Sequence, residues 1–338
     1  MDLKEIGWES YACRQAPDSS YGRVALATRE HFFIWTEEGE VKATVSGHLR
    51  HSHGDWPCVG DWVVLREGNV VTEVLPRRTK LSRKEPGRGV REQVLAANID
   101  LLFVVSGLDQ DYNPRRLERY LVLAYESGAR PIILLNKADL RTDIPDVIRH
   151  TERHAPGVPV LALSALRNWG LESVSTRIKP GQTAALLGSS GAGKSTIVNC
   201  LLGQERQRTT AVREGDGRGR HTTTQRELIL MPEGWLLMDL PGLRELQLWA
   251  DPEQIDDAFS EIVELAEQCR FRDCTHQQEP GCAVRNADLD PRRLQSYRKL
   301  KRELVFLERQ TDVHQARETK KKWKAIEKGS RRHPKRML

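Results

Sequence analysis

No stretch of this 338-residue chain approaches the ~20 consecutive apolar residues that a membrane-spanning helix needs. Its opening residues, Met1-Asp2-Leu3-Lys4-Glu5, lack the basic-then-apolar pattern of a signal peptide. Both absences lead to the expectation of a cytoplasmic protein without membrane contact. Cysteine is scarce, at six residues, and in a reducing compartment these are thiols or metal ligands before they are disulfides. There are no internal repeats. The body of the chain also has no basic excess. The formal net charge is +6, but residues Thr319 to Leu338 carry nine Lys or Arg against one acid, which is +8 and leaves −2 for the rest. A solvated, solubilising end is the plain reading of such a tail. With Trp323 among its lysines it also suits a phosphate backbone, through counterion release and stacking on a base.

The length allows about two or three domains with a sizeable core. From Tyr21 to Leu81 the pattern is of short strands: Arg23 to Thr28, His31 to Thr36, Val41 to Val45, Asp61 to Arg66 and Val70 to Leu75. Two connections, Glu37-Glu38-Gly39 and Glu67-Gly68-Asn69, have hairpin length and contain glycine. Five such strands predict a small β-barrel of the OB type, a fold that often binds oligonucleotides. Pro76 to Asn98, rich in Arg, Lys and Gly, reads as a linker. From Ile99 onward apolar strands alternate with helix-length segments, which predicts a parallel sheet covered by helices. The strands are Ile99 to Val105, Ile132 to Leu135, Val158 to Leu163 and Thr183 to Leu187, followed by an antiparallel pair, Arg226 to Leu230 and Trp235 to Leu240. Asn113-Pro114, Asp251-Pro252 and Asp290-Pro291 read as helix starts, with proline in the first turn. Ile255, Phe259, Ile262 and Ala266 share one helical face.

Gly188-Ser189-Ser190-Gly191-Ala192-Gly193-Lys194-Ser195 has the G-x-x-x-x-G-K-S spacing between an apolar strand and a helical run that begins at Thr196. Backbone N–H groups of such a loop surround phosphate without side chains in the way. Lys194 is expected to reach the β- and γ-phosphates, and the Ser195 hydroxyl to ligate Mg2+. Asn136-Lys137-Ala138-Asp139 closes an earlier strand. A carboxylate there can accept hydrogen bonds from N1 and N2 of guanine, which adenine cannot offer, so Asp139 argues for GTP over ATP. Ser164-Ala165 matches the backbone contact to the guanine carbonyl in GTPases. Asp239-Leu240-Pro241-Gly242 matches the acidic motif that holds Mg2+ through water and senses the γ-phosphate through the Gly242 amide. The Asn-Lys-x-Asp element precedes the phosphate loop, the reverse of the usual order. That inversion indicates a circularly permuted GTPase.

With Gly217-Arg218-Gly219-Arg220-His221-Thr222-Thr223-Thr224 as a first switch, the chain resembles the RsgA (YjeQ) family of circularly permuted, ribosome small-subunit biogenesis GTPases. The resemblance covers nearly the whole chain and implies GTP hydrolysis coupled to late maturation of the small (30S) subunit, with that subunit and its 16S rRNA as partners and hydrolysis timing release. Nucleotide-binding residues are then Asn136, Lys137, Ala138, Asp139, Ser164, Ala165 and Gly188 to Thr196. Either Thr222 or Thr223 completes the Mg2+ shell. Position 243, where many small GTPases carry a water-orienting Gln, is Leu. Hydrolysis is therefore expected to be slow alone and stimulated by the subunit, with His221 as the candidate that positions water. Lys194, Asp239 and Gly242 complete the catalytic set. The rival readings are an RNA-binding module in which GTP is mainly structural, and an unrelated P-loop ATPase.

Cys269, Cys274, His276 and Cys282 form C-x4-C-x-H-x5-C. Four sulfur and nitrogen ligands suit tetrahedral zinc and leave no open position for chemistry, so the site is expected to be structural. The RsgA resemblance implies the same metal. Cys13, Cys58 and Cys200 belong to no motif and read as ordinary thiols. The expected monomer thus has an OB-type barrel (residues 1–85), a circularly permuted P-loop α/β GTPase domain (86–249) and a helical zinc-binding domain with the basic tail (250–338).

Overall fold

A computed structural model describes residues 1–8, 20–28, 30–51, 56–84, 92–203, 226–239 and 252–306. The chain divides into two compact units, residues 1–82 with 94–246, and residues 83–93 with 247–338.

The first unit begins with strands β1 (Ser20–Ala27), β2 (Phe32–Thr36) and β3 (Gly39–Val45), helix α1 (Gly47–His51), and strands β4 (Trp62–Arg66) and β5 (Val70–Val74). β1, β2 and β3 pair in antiparallel sequence, β3 runs parallel to β5, and β4 joins β5 back to β1. The five strands therefore close into a barrel with the expected members. Alternate residues turn inward, so Phe32, Ile34, Ala43, Val45, Val63, Leu65 and Val71 fill its centre, with Leu49 of α1 among them.

The segment expected to be a linker instead holds β6 (Lys80–Lys84) and β7 (Glu92–Ala97), which pair as a two-stranded sheet. Leu81, Leu95, Ala96 and Ala97 are fully buried. Their few apolar side chains are diluted by Arg, Lys and Gly, which hides the strand pattern in the sequence.

Strands β8 (Leu101–Gly107), β9 (Arg130–Asn136), β10 (Val160–Ala162), β11 (Thr183–Gly188), β12 (Arg226–Leu230) and β13 (Leu236–Asp239) build the second half of the unit in the order β10-β9-β8-β11-β13-β12. All neighbours are parallel except β12, which is antiparallel to β13. Every residue of β8 is buried, as a strand covered on both faces requires. Helix α2 (Pro114–Ser127) packs on β8 and β9, and α3 (Ile144–His154) on β10. The Asn113 side chain caps α2 by accepting from the Arg116 amide. Short α4 (Glu172–Ser175) and α5 (Lys194–Leu202) complete the layer. β12 also pairs with β1 through Leu26 opposite Glu227 and Ala27 opposite Arg226, so barrel and α/β sheet form one continuous eleven-stranded sheet.

In the second unit the predicted apolar face is carried by two helices, α6 (Pro252–Ala258) and α7 (Ser260–Ala266). Phe259, at φ −129° and ψ 36°, breaks the run between them, yet Ile255, Phe259 and Ile262 are all fully buried. Helix α8 (Ala283–Asn286) follows, and then α9 over residues 291–306. Asp290 opens α9 by accepting from the Arg292 amide at 2.8 Å. Arg293 is buried, donates to the Ala258 carbonyl at 2.9 Å and pairs with Glu261, its guanidinium lying 4.5 Å from the Phe259 ring centre.

Candidate nucleotide site and metal centre

The carboxyl ends of parallel strands in an open α/β sheet are where ligands bind, and three motif loops emerge there from β9, β10 and β11. Asn136 ends β9 and is 2% exposed. Its amide Nδ2 donates to the Ala192 carbonyl of the phosphate loop at 2.9 Å, and its Oδ1 accepts from the Ala165 amide at 3.0 Å. One side chain thus joins all three motifs. Lys137 adopts a left-handed conformation (φ 61°), after which Ala138–Leu140 form a 3-10 turn. The Asp139 carboxylate accepts from the Ser164 hydroxyl at 2.5 Å through Oδ1.

Gly188 to Gly193 connect β11 to α5, and two of these glycines are required by close approach. A Cβ at Gly188 would lie 2.3 Å from the Val105 carbonyl oxygen. At Gly193 (φ +92°) it would lie 2.2 Å from Asn136 Nδ2. Lys194 opens α5, and its ammonium donates to the carbonyls of Gly188 and Ser189, both at 2.7 Å. Ser195 and Thr196 follow in the first turn, half-buried. Asp239 ends β13 opposite Glu227. The first switch with His221, Thr222 and Thr223, the acidic-motif residue Gly242, position 243, Cys13 and the basic tail lie outside the described residues.

In the second unit Cys269, Cys274, His276 and Cys282 place their ligand atoms within 4.8 Å of one another. Cys269 Sγ lies 3.9 Å from Cys282 Sγ, and His276 Nδ1 lies 3.6 and 3.5 Å from those two sulfurs. Tetrahedral bonds of about 2.3 Å to sulfur and 2.0–2.1 Å to nitrogen would put the sulfurs about 3.8 Å apart and sulfur and nitrogen about 3.5 Å apart. The donor set therefore fits zinc. Burial, with the nearby Arg298 cation, holds the His276 imidazole below its ordinary range and favours the neutral, ligating form. Burial opposes ionisation of Cys269, but the amides of Val284 and Ala283 and the neighbouring thiols bring it below the usual thiol range. Burial and, among the nearby groups, the other two thiols push Cys274 up to about 11. The Glu279 carboxylate organises the loop by accepting from the amides of Thr275, Gln277 and Gln278 at 2.9, 2.8 and 3.0 Å, and from the Thr275 hydroxyl at 2.5 Å.

Residues 74–249 match the RsgA GTPase family. A small ribosomal subunit biogenesis GTPase RsgA from Opitutus terrae is 44% identical over 98% of this chain and 97% of its own. One from Oceanobacillus iheyensis is 43% identical over 90% of each chain. The chain belongs to the RsgA family. Members of the family are GTP hydrolases, and so is this protein. Its fold is that of YjeQ from Thermotoga maritima (TM-score 0.65, 24% identity, 85% of this chain and 99% of that one). YloQ, described as a circularly permuted GTPase, is also similar (TM-score 0.59, 23% identity, 89% and 99%). No helix among the described residues is long and apolar enough to cross a membrane.

Two residues of this RsgA family member that belong to no sequence motif, Asp109 and Asp111, lie in the turn after β8 and bond the Asn-Lys-x-Asp turn and the phosphate loop. Lys137 Nζ donates to Asp109 at 2.6 Å, and the Ser189 hydroxyl donates to Asp111 at 2.5 Å. The available signal was positional, since the turn leaves the carboxyl end of a buried parallel strand. Cys58 and Cys200 form no disulfide. Burial raises Cys58 well above and Cys200 above the ordinary thiol range.

Proposed function

We propose that this protein binds GTP at the carboxyl edge of the α/β sheet and hydrolyses it during late assembly of the small (30S) ribosomal subunit, with hydrolysis timing its release. The observation that carries the reading is the Asn136 side chain, which brackets the Asn-Lys-x-Asp turn, the phosphate loop and the Ser164-Ala165 loop into one site. Family membership and relatives named small ribosomal subunit biogenesis GTPases support the cellular role. The domains proposed are residues 1–85, 86–249 and 250–338. On this reading Asp139 selects guanine, and the loop amides from Gly188 to Thr196 with Lys194 hold the phosphates. Ser195, Asp239 through water, and Thr222 or Thr223 hold magnesium, which neutralises charge on the phosphates when bound. Gly242 senses the γ-phosphate and His221 positions water. Cys269, Cys274, His276 and Cys282 hold one structural zinc. The barrel and basic tail contact 16S rRNA, and the protein acts as a monomer.

The test is GTP turnover with and without purified small subunits, with large subunits as the control. Strong stimulation by the small subunit alone is expected. Lys194→Ala should reduce turnover on the order of 10²-fold or more, as loss of a charge on the phosphates implies, and His221→Ala should remove the stimulation while docking persists. If Lys194→Ala and Asp239→Ala leave subunit release unchanged, the nucleotide is structural and the protein is a binding module.

A further inference from the structure

β8 lies between β9 and β11, so the turn that leaves its carboxyl end is flanked by the guanine-reading turn on one side and the phosphate loop on the other. That turn carries Asp109 and Asp111. Asp109 Oδ2 accepts from Lys137 Nζ at 2.6 Å, and its Oδ1 accepts from the Asp111 amide at 3.1 Å. The Lys137 stem runs alongside the strand end, where a Cβ on Gly107 would meet its Cδ and Cε at 3.4 Å. Asp111 Oδ2 accepts from the Ser189 hydroxyl at 2.5 Å and from the Gly107 amide at 3.4 Å. The turn is itself anchored, because Asp111 Oδ1 pairs with Arg116 of α2 at 2.7 Å and the Tyr112 hydroxyl bonds Thr151 of α3 at 2.9 Å.

We propose that Asp109 and Asp111 are positioning residues for nucleotide binding, Asp109 acting through Lys137 and Asp111 through Ser189, so that the base-reading turn and the phosphate loop are held in register before nucleotide arrives. The inference rests on the guanine-nucleotide reading of the site. Lys137 is a long side chain on a left-handed residue, and a charge-assisted bond at its tip restricts rotamers that would otherwise be lost on binding. Ser189 is the second residue of the phosphate loop, and fixing its hydroxyl fixes the loop backbone next to it. Pre-organisation of this kind raises affinity without adding a contact to the ligand. Although burial works against it, the hydrogen bonds from Lys137 and from the amides of Asp111 and Asp109 hold the Asp109 carboxyl below its ordinary range.

The experiment measures the affinity of the full-length protein for GDP by competition with a fluorescent GDP analogue, in two double-mutant cycles. One combines Asp109→Ala with Lys137→Ala, the other Asp111→Ala with Ser189→Ala. Each aspartate variant should weaken GDP about tenfold, equivalent to ~1.4 kcal/mol, and the melting temperature of the nucleotide-free protein should stay within about 2 °C. In each cycle the double variant should bind no worse than the weaker single variant, because the aspartate acts through its partner. Asp109→Asn, which keeps an acceptor for Lys137, should recover part of the loss. Unchanged GDP affinity, or effects that simply add within each cycle, would overturn the proposal. Asp139→Asn separates this from the reading beneath it, since an amide should favour xanthine over guanine nucleotides. If that switch occurs while the Asp109 and Asp111 variants are silent, the positioning role fails and the site stands. If Asp139→Asn does not alter base preference, the site assignment itself fails.

Discussion

Glu279 shows how one half-buried carboxylate can organise the loop of a candidate metal site. It lies between two of the four proposed ligands, His276 and Cys282, and gathers three backbone amides and the Thr275 hydroxyl. The Thr275 hydroxyl first, and then the amides, bring its pKa from an ordinary 4.5 to about 2. A carboxyl depressed on folding contributes stability that is complete above its ordinary value and is lost as pH falls through the folded value. Here that window runs from about 4.5 down to about 2. Glu279→Gln should therefore weaken zinc binding about tenfold, by the same factor throughout pH 5–8, where the native carboxylate stays ionised. Zinc competition with a chromophoric chelator measures this, and a factor that changes across that range would contradict it. Nothing in the C-x4-C-x-H-x5-C spacing points to Glu279, since its role depends on where the turn aims the amides. Asn136 differs in being legible as a motif residue, while its buried bracketing contacts to Ala192 and Ala165 emerge only from the fold.

At the scale of elements, the first barrel strand and the strand that carries the phosphate loop share one buried cation. Arg23 of β1 is 2% exposed and donates to the Ile6 carbonyl at 2.6 Å, the Asn98 carbonyl at 3.2 Å and the Thr183 hydroxyl of β11 at 2.7 Å. Its guanidinium also lies 5.5 Å from the Trp62 ring centre. Arg23→Met keeps most of the volume and strands these acceptors without a donor, at a cost of about 3 kcal/mol. Urea denaturation should show a lower midpoint with an unchanged slope, and GTP hydrolysis should persist under conditions where the variant is folded. Most of the elements were legible in the sequence: the five barrel strands and the α/β strands appear with their expected members, offset by up to three residues at the ends. The β6–β7 pair was not, because Leu81 and the Leu95 to Ala97 run are short apolar islands in a charged segment. The break at Phe259 was not legible either, since its ring remains in phase with Ile255 and Ile262 even though the backbone leaves the helix.

For the whole molecule the central feature is the order of motifs. Permutation makes the acidic motif, Asp239 to Gly242, the last GTPase element before the chain passes through Leu243 to Ala250 to the helices of the metal-binding unit. If γ-phosphate loss is transmitted along that short connector, a flexible Gly/Ser insertion there should leave subunit-stimulated hydrolysis intact and slow release from the small subunit. Sedimentation of the insertion variant with small subunits before and after hydrolysis measures this, and unimpaired release would show that the connector does not carry the signal. The sequence by itself determined the inverted motif order, the phosphate-loop and Asn-Lys-x-Asp signatures, the close Cys/His spacing whose side chains the fold gathers, and the two kinds of β structure. Each of these depends on residue type at short spacing, and that information is local. Only the tertiary structure decided that β1 and β12 fuse barrel and α/β sheet into one, that Arg23 reaches Thr183, and that Asp109 and Asp111 grip Lys137 and Ser189. These contacts join positions 28 to 201 residues apart. At such separations the partners leave no periodicity or spacing in the chain, and only folding brings them together.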